Sequence, residues 1–345
     1  MKRSRNQKID HLRALAILCI ILAHTGLQGI LFNLRCFDVP LMAFCLAISY
    51  YYSSKNLSYI SYVKKRFTRL MVPTYIFLAL LFTSLFFIAQ ITDTPYQFNI
   101  FYILHAFFMD TGYGYAWIMR TFFLVSLLMP FLYKLSKKYQ HFVEILGIFT
   151  LLLILQIFLV YLIPYVPSSW QILYTQLVPL AFGYCPIALL GLLVFQLDRK
   201  KLLHLSIVIL CYLSISFYLY GLHGLTYFKY PPQLPFILYG CFCGCFCGCF
   251  CGCFLWYMLA KYEGNFFAPI SNYLSLHSQE LYFIHIFYIY IYEFYLPKEG
   301  SLLNNWFFNF IYLLSMSLLT LFLINQGKKK VKQIKNKTRQ VECDE

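Results

Sequence analysis

Residues 142–163 read FVEILGIFTLLLILQIFLVYLI and hold a single charge, Glu144. About 20 apolar residues in helical form cross the roughly 30 Å hydrocarbon layer of a bilayer. The alternation of a barrel strand is missing here, so the stretch is read as a transmembrane helix. Working outward with the same ruler, further spans fall near 12–32, 38–53, 71–91, 112–133, 175–196, 203–224, 233–260, 272–296 and 303–325, which makes ten. Composition agrees. Of 345 residues 61% are hydrophobic and 12% charged, against roughly 25% charged in globular chains. Water-soluble enzymes, disordered tails and small disulfide scaffolds are excluded. What remains is an all-α bundle whose backbone hydrogen bonds close within each segment. The first span follows basic residues as a secretory signal would, but its apolar core is too long and lacks a small-residue cleavage site, so it is expected to stay attached.

Lys and Arg orient the bundle, because cytoplasmic loops hold the positive excess. With an inside N-terminus and ten spans, 24 of the 28 basic residues fall on the inner face, and only Arg35, Arg120, Lys229 and Lys298 stand apart. Both termini are therefore expected in the cytoplasm. Residues 1–327 form the membrane domain and 328–345 a basic cytoplasmic tail. The net charge of +15 is read as a topology signal and an attraction to anionic lipid, not as a nucleic-acid site.

Seven of the 13 cysteines lie in GCFCGCFCGCFCGCF, residues 240–254. No His or carboxylate is interleaved, and thiolates inside a span are costly, so no metal site is expected. Gly240, Gly244, Gly248 and Gly252 instead form a small-residue ridge that lets another helix approach closely.

Ionisable side chains within spans are functional candidates by default, and here they are His24, Arg120, Glu280, His285 and Glu293. His24 follows Arg13 by eleven residues, about 16 Å of helical rise with only about 20° of rotation left over. The two share a face. A cation at the cytoplasmic headgroups then stands in line with an imidazole near mid-bilayer, which acts as a general base or is a core histidine bonded to a neighbouring helix. Ser278, Tyr282 and His285 line one face of the ninth span, as a site or as an interhelical hydrogen-bond ladder. Asp10 either caps the first helix or holds Arg13 three residues on.

Together these residues resemble the acyltransferase 3 family, membrane enzymes that move acyl groups onto sugars and cell-surface polymers. IDHLRALAILCIILAHT (9–25) is similar to the family's opening signature, and FDVPLM (37–42) resembles the start of its second helix. KKRFTRLMVP (64–73) carries an Arg-x-x-Arg pair, Arg66 and Arg69, on what reads as an inside loop. AWIMRTFFLVSLLMP (116–130) and HSQELYFIH (277–285) resemble two later motifs. The family's usual Ser-Gly pair in the second helix is replaced by Leu46 and Ala47. The extra soluble hydrolase-like domain of some relatives is expected to be lacking, since the chain ends soon after the tenth span.

The resemblance implies O-acylation in the cell (plasma or inner) membrane, with acetyl-CoA as donor substrate and no bound cofactor. It places Arg13, Arg66 and Arg69 on the coenzyme A phosphates and has His24 either deprotonate the acceptor hydroxyl or relay the acyl group. Asp10, Arg13, His285 and Arg120 join His24 in catalysis, and Asp38, Trp117, Ser278, Glu280 and Tyr282 bind substrate. The acceptor is a sugar hydroxyl of a cell-surface or lipid-linked polysaccharide, and neither a nucleic acid nor a partner protein is expected. The competing function is a glycan or lipid transporter, or a polymerase-like membrane protein, without acyl transfer.

Overall fold

The computed structural model describes residues 7–52, 57–110, 112–194, 196–246, 267–296 and 301–344. Its helices are α1 (Gln7–Ala23), α2 (Gly29–Leu34), α3 (Asp38–Tyr52), α4 (Tyr59–Ile91), α5 (Ile100–Phe108), α6 (Trp117–Lys138) and α7 (Phe142–Tyr161). They continue with α8 (Ser168–Gly183), α9 (Cys185–Leu193), α10 (Arg199–Tyr220), α11 (Leu234–Phe246), α12 (Phe267–Leu276), α13 (Ser278–Tyr295) and α14 (Trp306–Asp344). No strand occurs among the described residues. Among the described residues, seven helical stretches are long and apolar enough to cross a membrane: 29–52, 59–91, 117–138, 142–165, 168–193, 200–220 and 306–331. The chain is a multi-pass membrane protein.

Several boundaries differ from those read off hydropathy, each for a local reason. The first span, expected over 12–32, stops at Ala23, because Gly26 (φ 81°) and Gly29 (φ 72°) take the left-handed backbone that ends helices. His24 therefore sits in the turn beyond α1, its N–H bonded to Ile21 O at 3.1 Å. Asp10 lies inside the first turn of α1 instead of capping it. Upstream of the third span, α4 begins at Tyr59, capped by the Ser58 side chain. KKRFTR is thus helix and not the expected loop: Lys and Arg are good helix formers, and hydropathy marks only the part of a helix that lies in lipid. Pro73 is accommodated within α4. The expected 272–296 span is broken at His277 into α12 and α13, and α14 runs unbroken through the basic tail. Beyond Phe246 the Cys-rich run lies outside the described residues, as does Lys298.

Burial separates a centre from a rim. Every residue of α9 is buried, as expected for a helix apolar on all sides, and α3, α6, α7, α8 and α11 pack around it. Gly191 lets α9 press on α3: a Cβ there would stand 2.5 Å from Phe44 O. Gly240 does the same for α11, where a Cβ would meet Pro40 Cβ at 2.6 Å. On the other side of α3, α1 is held among α3, α12, α13 and α14. The outer helices leave large apolar side chains bare, Leu151, Ile154 and Phe158 of α7 among them. Such a surface suits lipid.

Candidate functional site

Two cavities meet along α1. The larger, about 1420 Å³, is lined by Asp10, Arg13 and Ile20 of α1, Leu46 and Ser49 of α3, Arg66 and Arg69 of α4, and Ser278, Glu280 and Tyr282 of α13. The three-residue step from Arg66 to Arg69 within a helix keeps both on one side, which is why both reach the same space. Arg66 is buried, with its guanidinium carbon 5.2 Å from the Tyr62 ring centre, whereas Arg69 is exposed. Arg13 donates a hydrogen bond to Ser49 Oγ, which in turn donates to Cys45 O at 2.6 Å. Two carboxylates line the same cavity. Asp10 Oδ1 accepts from Ser275 Oγ at 2.6 Å, and Glu280 lies 3.0 Å from His277 Nδ1 and 3.8 Å from Lys328 Nζ. The three guanidiniums, Arg13, Arg66 and Arg69, outnumber the two carboxylates of the lining, Asp10 and Glu280.

The smaller cavity, about 240 Å³, is lined by His24, Phe32, Arg35, Asp38, Tyr115, Trp117, Lys229 and Tyr230. Ile20 and Tyr282 line both spaces, so they form the wall between them. Asp38 is buried, with Oδ2 bonded to Arg35 Nη1 at 2.6 Å and Oδ1 accepting from Val39 N at 2.7 Å. The Lys229 ammonium lies 5.3 Å from the ring centres of both Trp117 and Tyr230. Lys229 sits in the connection between α10 and α11, and burial draws its pKa below the usual lysine value, with Asp38 pulling the other way.

At the shared wall, Tyr282 Oη donates to Tyr115 O at 2.5 Å. The His24 ring stands edge-on to Tyr115 at 4.6 Å and 5.5 Å from the ring of His285, centre to centre. His285 is fully buried, and its Nδ1 lies 3.2 Å from Leu281 O. A carbonyl oxygen only accepts, so Nδ1 carries the proton and, in the neutral imidazole, Nε2 presents a lone pair. That Nε2 is buried and has no hydrogen-bond partner among the described residues.

The structure thus brings Arg13, Arg66, Arg69, Asp10, Ser278 and Glu280 to the larger cavity, and His24, Asp38 and Trp117 to the smaller one. Tyr282 lies between the two, and His285 stands beside His24. Arg120 lines neither: it donates to Gln176 Oε1, and Gln176 Nε2 donates to Asp110 O, which ties α6 to α8 and to the end of α5. Ser49, Arg35, Tyr115, Lys229 and Tyr230 were not singled out as site residues from sequence. For Arg35 and Lys229 a signal existed, since both are basic residues standing apart from the inner set. Among 31 tyrosines, nothing marks Tyr115 or Tyr230. Among the described residues, no group of three or more His, Cys, Asp or Glu side chains is placed to hold a metal ion.

A family model described as an acyltransferase domain matches residues 6–325, nearly the whole chain. No curated protein and no solved structure matches it.

Proposed function

Because the chain belongs to the acyltransferase 3 family and is therefore an enzyme that transfers acyl groups, we propose that it moves an acetyl group from acetyl-CoA to a sugar hydroxyl of a cell-surface or lipid-linked polysaccharide. In this reading the donor occupies the larger cavity from the cytoplasm and the acceptor the smaller. The single observation that carries it is the meeting of two cavities at one wall, with Arg13, Arg66 and Arg69 on one side and the His24 imidazole, among aromatic rings with Arg35 and Lys229, on the other. Arg13, Arg66 and Arg69 suit coenzyme A phosphates, because a guanidinium fork gives paired, charge-assisted hydrogen bonds. A carrier needs one continuous path and no such divided chemistry.

His24 takes the proton of the acceptor hydroxyl as its oxygen attacks the thioester carbonyl carbon. The carbon–sulfur bond then breaks, and coenzyme A leaves as a thiolate that recovers the proton from His24. Nε2 of His285, left as an acceptor, is suited to holding the His24 N–H and so turning the other imidazole nitrogen toward the hydroxyl. Asp38 and Trp117 shape the acceptor space. Ser278, Glu280 and Asp10 border the donor, and Arg120 acts at one remove, through Gln176. Ten spans, both termini in the cytoplasm, a plasma (inner) membrane location and a basic tail from residue 328 complete the proposal, supported by the distribution of Lys and Arg. The test is mass spectrometry of surface glycans from cells with and without the gene product, together with acetyl-CoA consumption by their membranes. Loss of glycan acetylation and of donor consumption is expected. Unchanged glycans and unchanged consumption would overturn the proposal.

A further inference from the structure

Two of the four basic residues that stand apart from the inner set, Arg35 and Lys229, meet in the smaller cavity. Both are at least nine-tenths buried. Among the described residues one carboxylate lines the cavity with them, and Asp38 is already committed, one oxygen to Arg35 and the other to its neighbour's backbone N–H. The cavity therefore holds one more positive than negative group. Nothing else among the described lining residues offsets the excess. Among the described residues, Arg35 Nε is buried and has no hydrogen-bond partner, and Lys229 has aromatic faces and no hydrogen-bonding oxygen. Rings attract an ammonium but supply no lone pair, so its three donors still call for acceptors. Buried charge persists only where something compensates it.

The rest of the cavity describes what that compensating group is attached to. A volume of about 240 Å³ is about eight times the roughly 30 Å³ share of a liquid water, room for one sugar ring. Phe32, Tyr115, Trp117 and Tyr230 supply flat apolar walls, as small-molecule sites commonly do around a few placed polar groups. His24 lies on the same cavity, so a sugar seated there presents a hydroxyl to the imidazole and another substituent to Lys229 and Arg35.

We infer that the acceptor is an anionic sugar, with a carboxylate or phosphate held by Lys229 and Arg35 while a hydroxyl of the same residue faces His24. The inference rests on the reading of the smaller cavity as the acceptor site. Its test is direct binding, so that it does not depend on turnover. Purified full-length protein is titrated calorimetrically with methyl glucoside, methyl glucuronide and glucose 6-phosphate, and the last two tell carboxylate from phosphate. At least one anionic sugar is expected to bind tenfold or more tightly than the neutral one. Lys229→Met should erase that difference while leaving acetyl-CoA affinity within twofold, which also shows that the variant is folded. Lys229→Arg should keep much of the preference. Anionic sugars that bind no tighter than the neutral sugar, or a preference that survives in donor-binding Lys229→Met protein, would overturn the inference. Charge-selective binding without acetyl transfer would count against the proposed reaction alone, and His24-dependent transfer without charge selectivity against the inference alone.

Discussion

Replacing Arg66 and Arg69 together by alanine should weaken acetyl-CoA binding by roughly 20-fold to 1000-fold, and the two arginines should contribute unequally. Arg66 is 9% exposed and lines the larger cavity. A hydrogen bond from a buried guanidinium to phosphate is worth about 1.5–3 kcal/mol. Arg69 is exposed and screened, and such pairs give about 0.2–1 kcal/mol. Their sum is about 2–4 kcal/mol, which at tenfold per 1.4 kcal/mol sets the stated range. Most of the loss should therefore appear already in Arg66→Ala, with Arg69→Ala changing affinity only a few-fold. Lysine at both positions keeps the charge but not the fork, so the double Lys variant should fall between wild type and double Ala. Calorimetric titration of acetyl-CoA into purified protein measures all four, and acceptor binding serves as the control for folding. Donor affinity unchanged within threefold in the double Ala protein would refute the reasoning, since the cavity would then not be the donor site.

Ser49→Ala removes the acceptor that holds Arg13 and should raise the donor dissociation constant several-fold at normal abundance, read in the same titration. Gly240→Ala would set a methyl 2.6 Å from the Pro40 ring, a rigid neighbour, at a cost of about 1–3 kcal/mol. Thermal denaturation in detergent should show Tm lowered by several degrees with donor affinity kept in the folded protein. Arg120→Leu strands Gln176 and should lower Tm and abundance more than it lowers transfer per folded molecule. Acetyl transfer normalised to folded protein checks this.

How much of this was legible beforehand depends on the distance over which each feature is encoded. Long apolar runs identify lipid as the solvent locally, so the helical class and most helix positions are readable. Hydropathy does not report where a helix leaves the layer. The charged start of α4 therefore read as a loop, although Arg66 and Arg69 owe their common direction to its being helical. The stop after Ala23 needs two glycines in left-handed backbone, and glycine alone does not announce its φ. Arg13 and His24 were legible as candidates on one span, but the helix stops at Ala23, so His24 lies in the turn beyond it and the two line different cavities. Lys229 and Arg35 were not legible as a pair, because their meeting depends on how the segment before α11 folds against the start of α3, which no local pattern encodes. The meeting of His24 with His285 likewise needs α1 packed on α13.

The claim that His24 carries the proton at the wall between the cavities is tested most directly by following labelled acetyl from acetyl-CoA to glycan in membranes containing wild type or His24→Ala at matched abundance. The account predicts that transfer is lost while the acetyl-CoA dissociation constant stays within twofold, since His24 lines only the acceptor side. Transfer retained at a wild-type rate in the His24→Ala protein would contradict it.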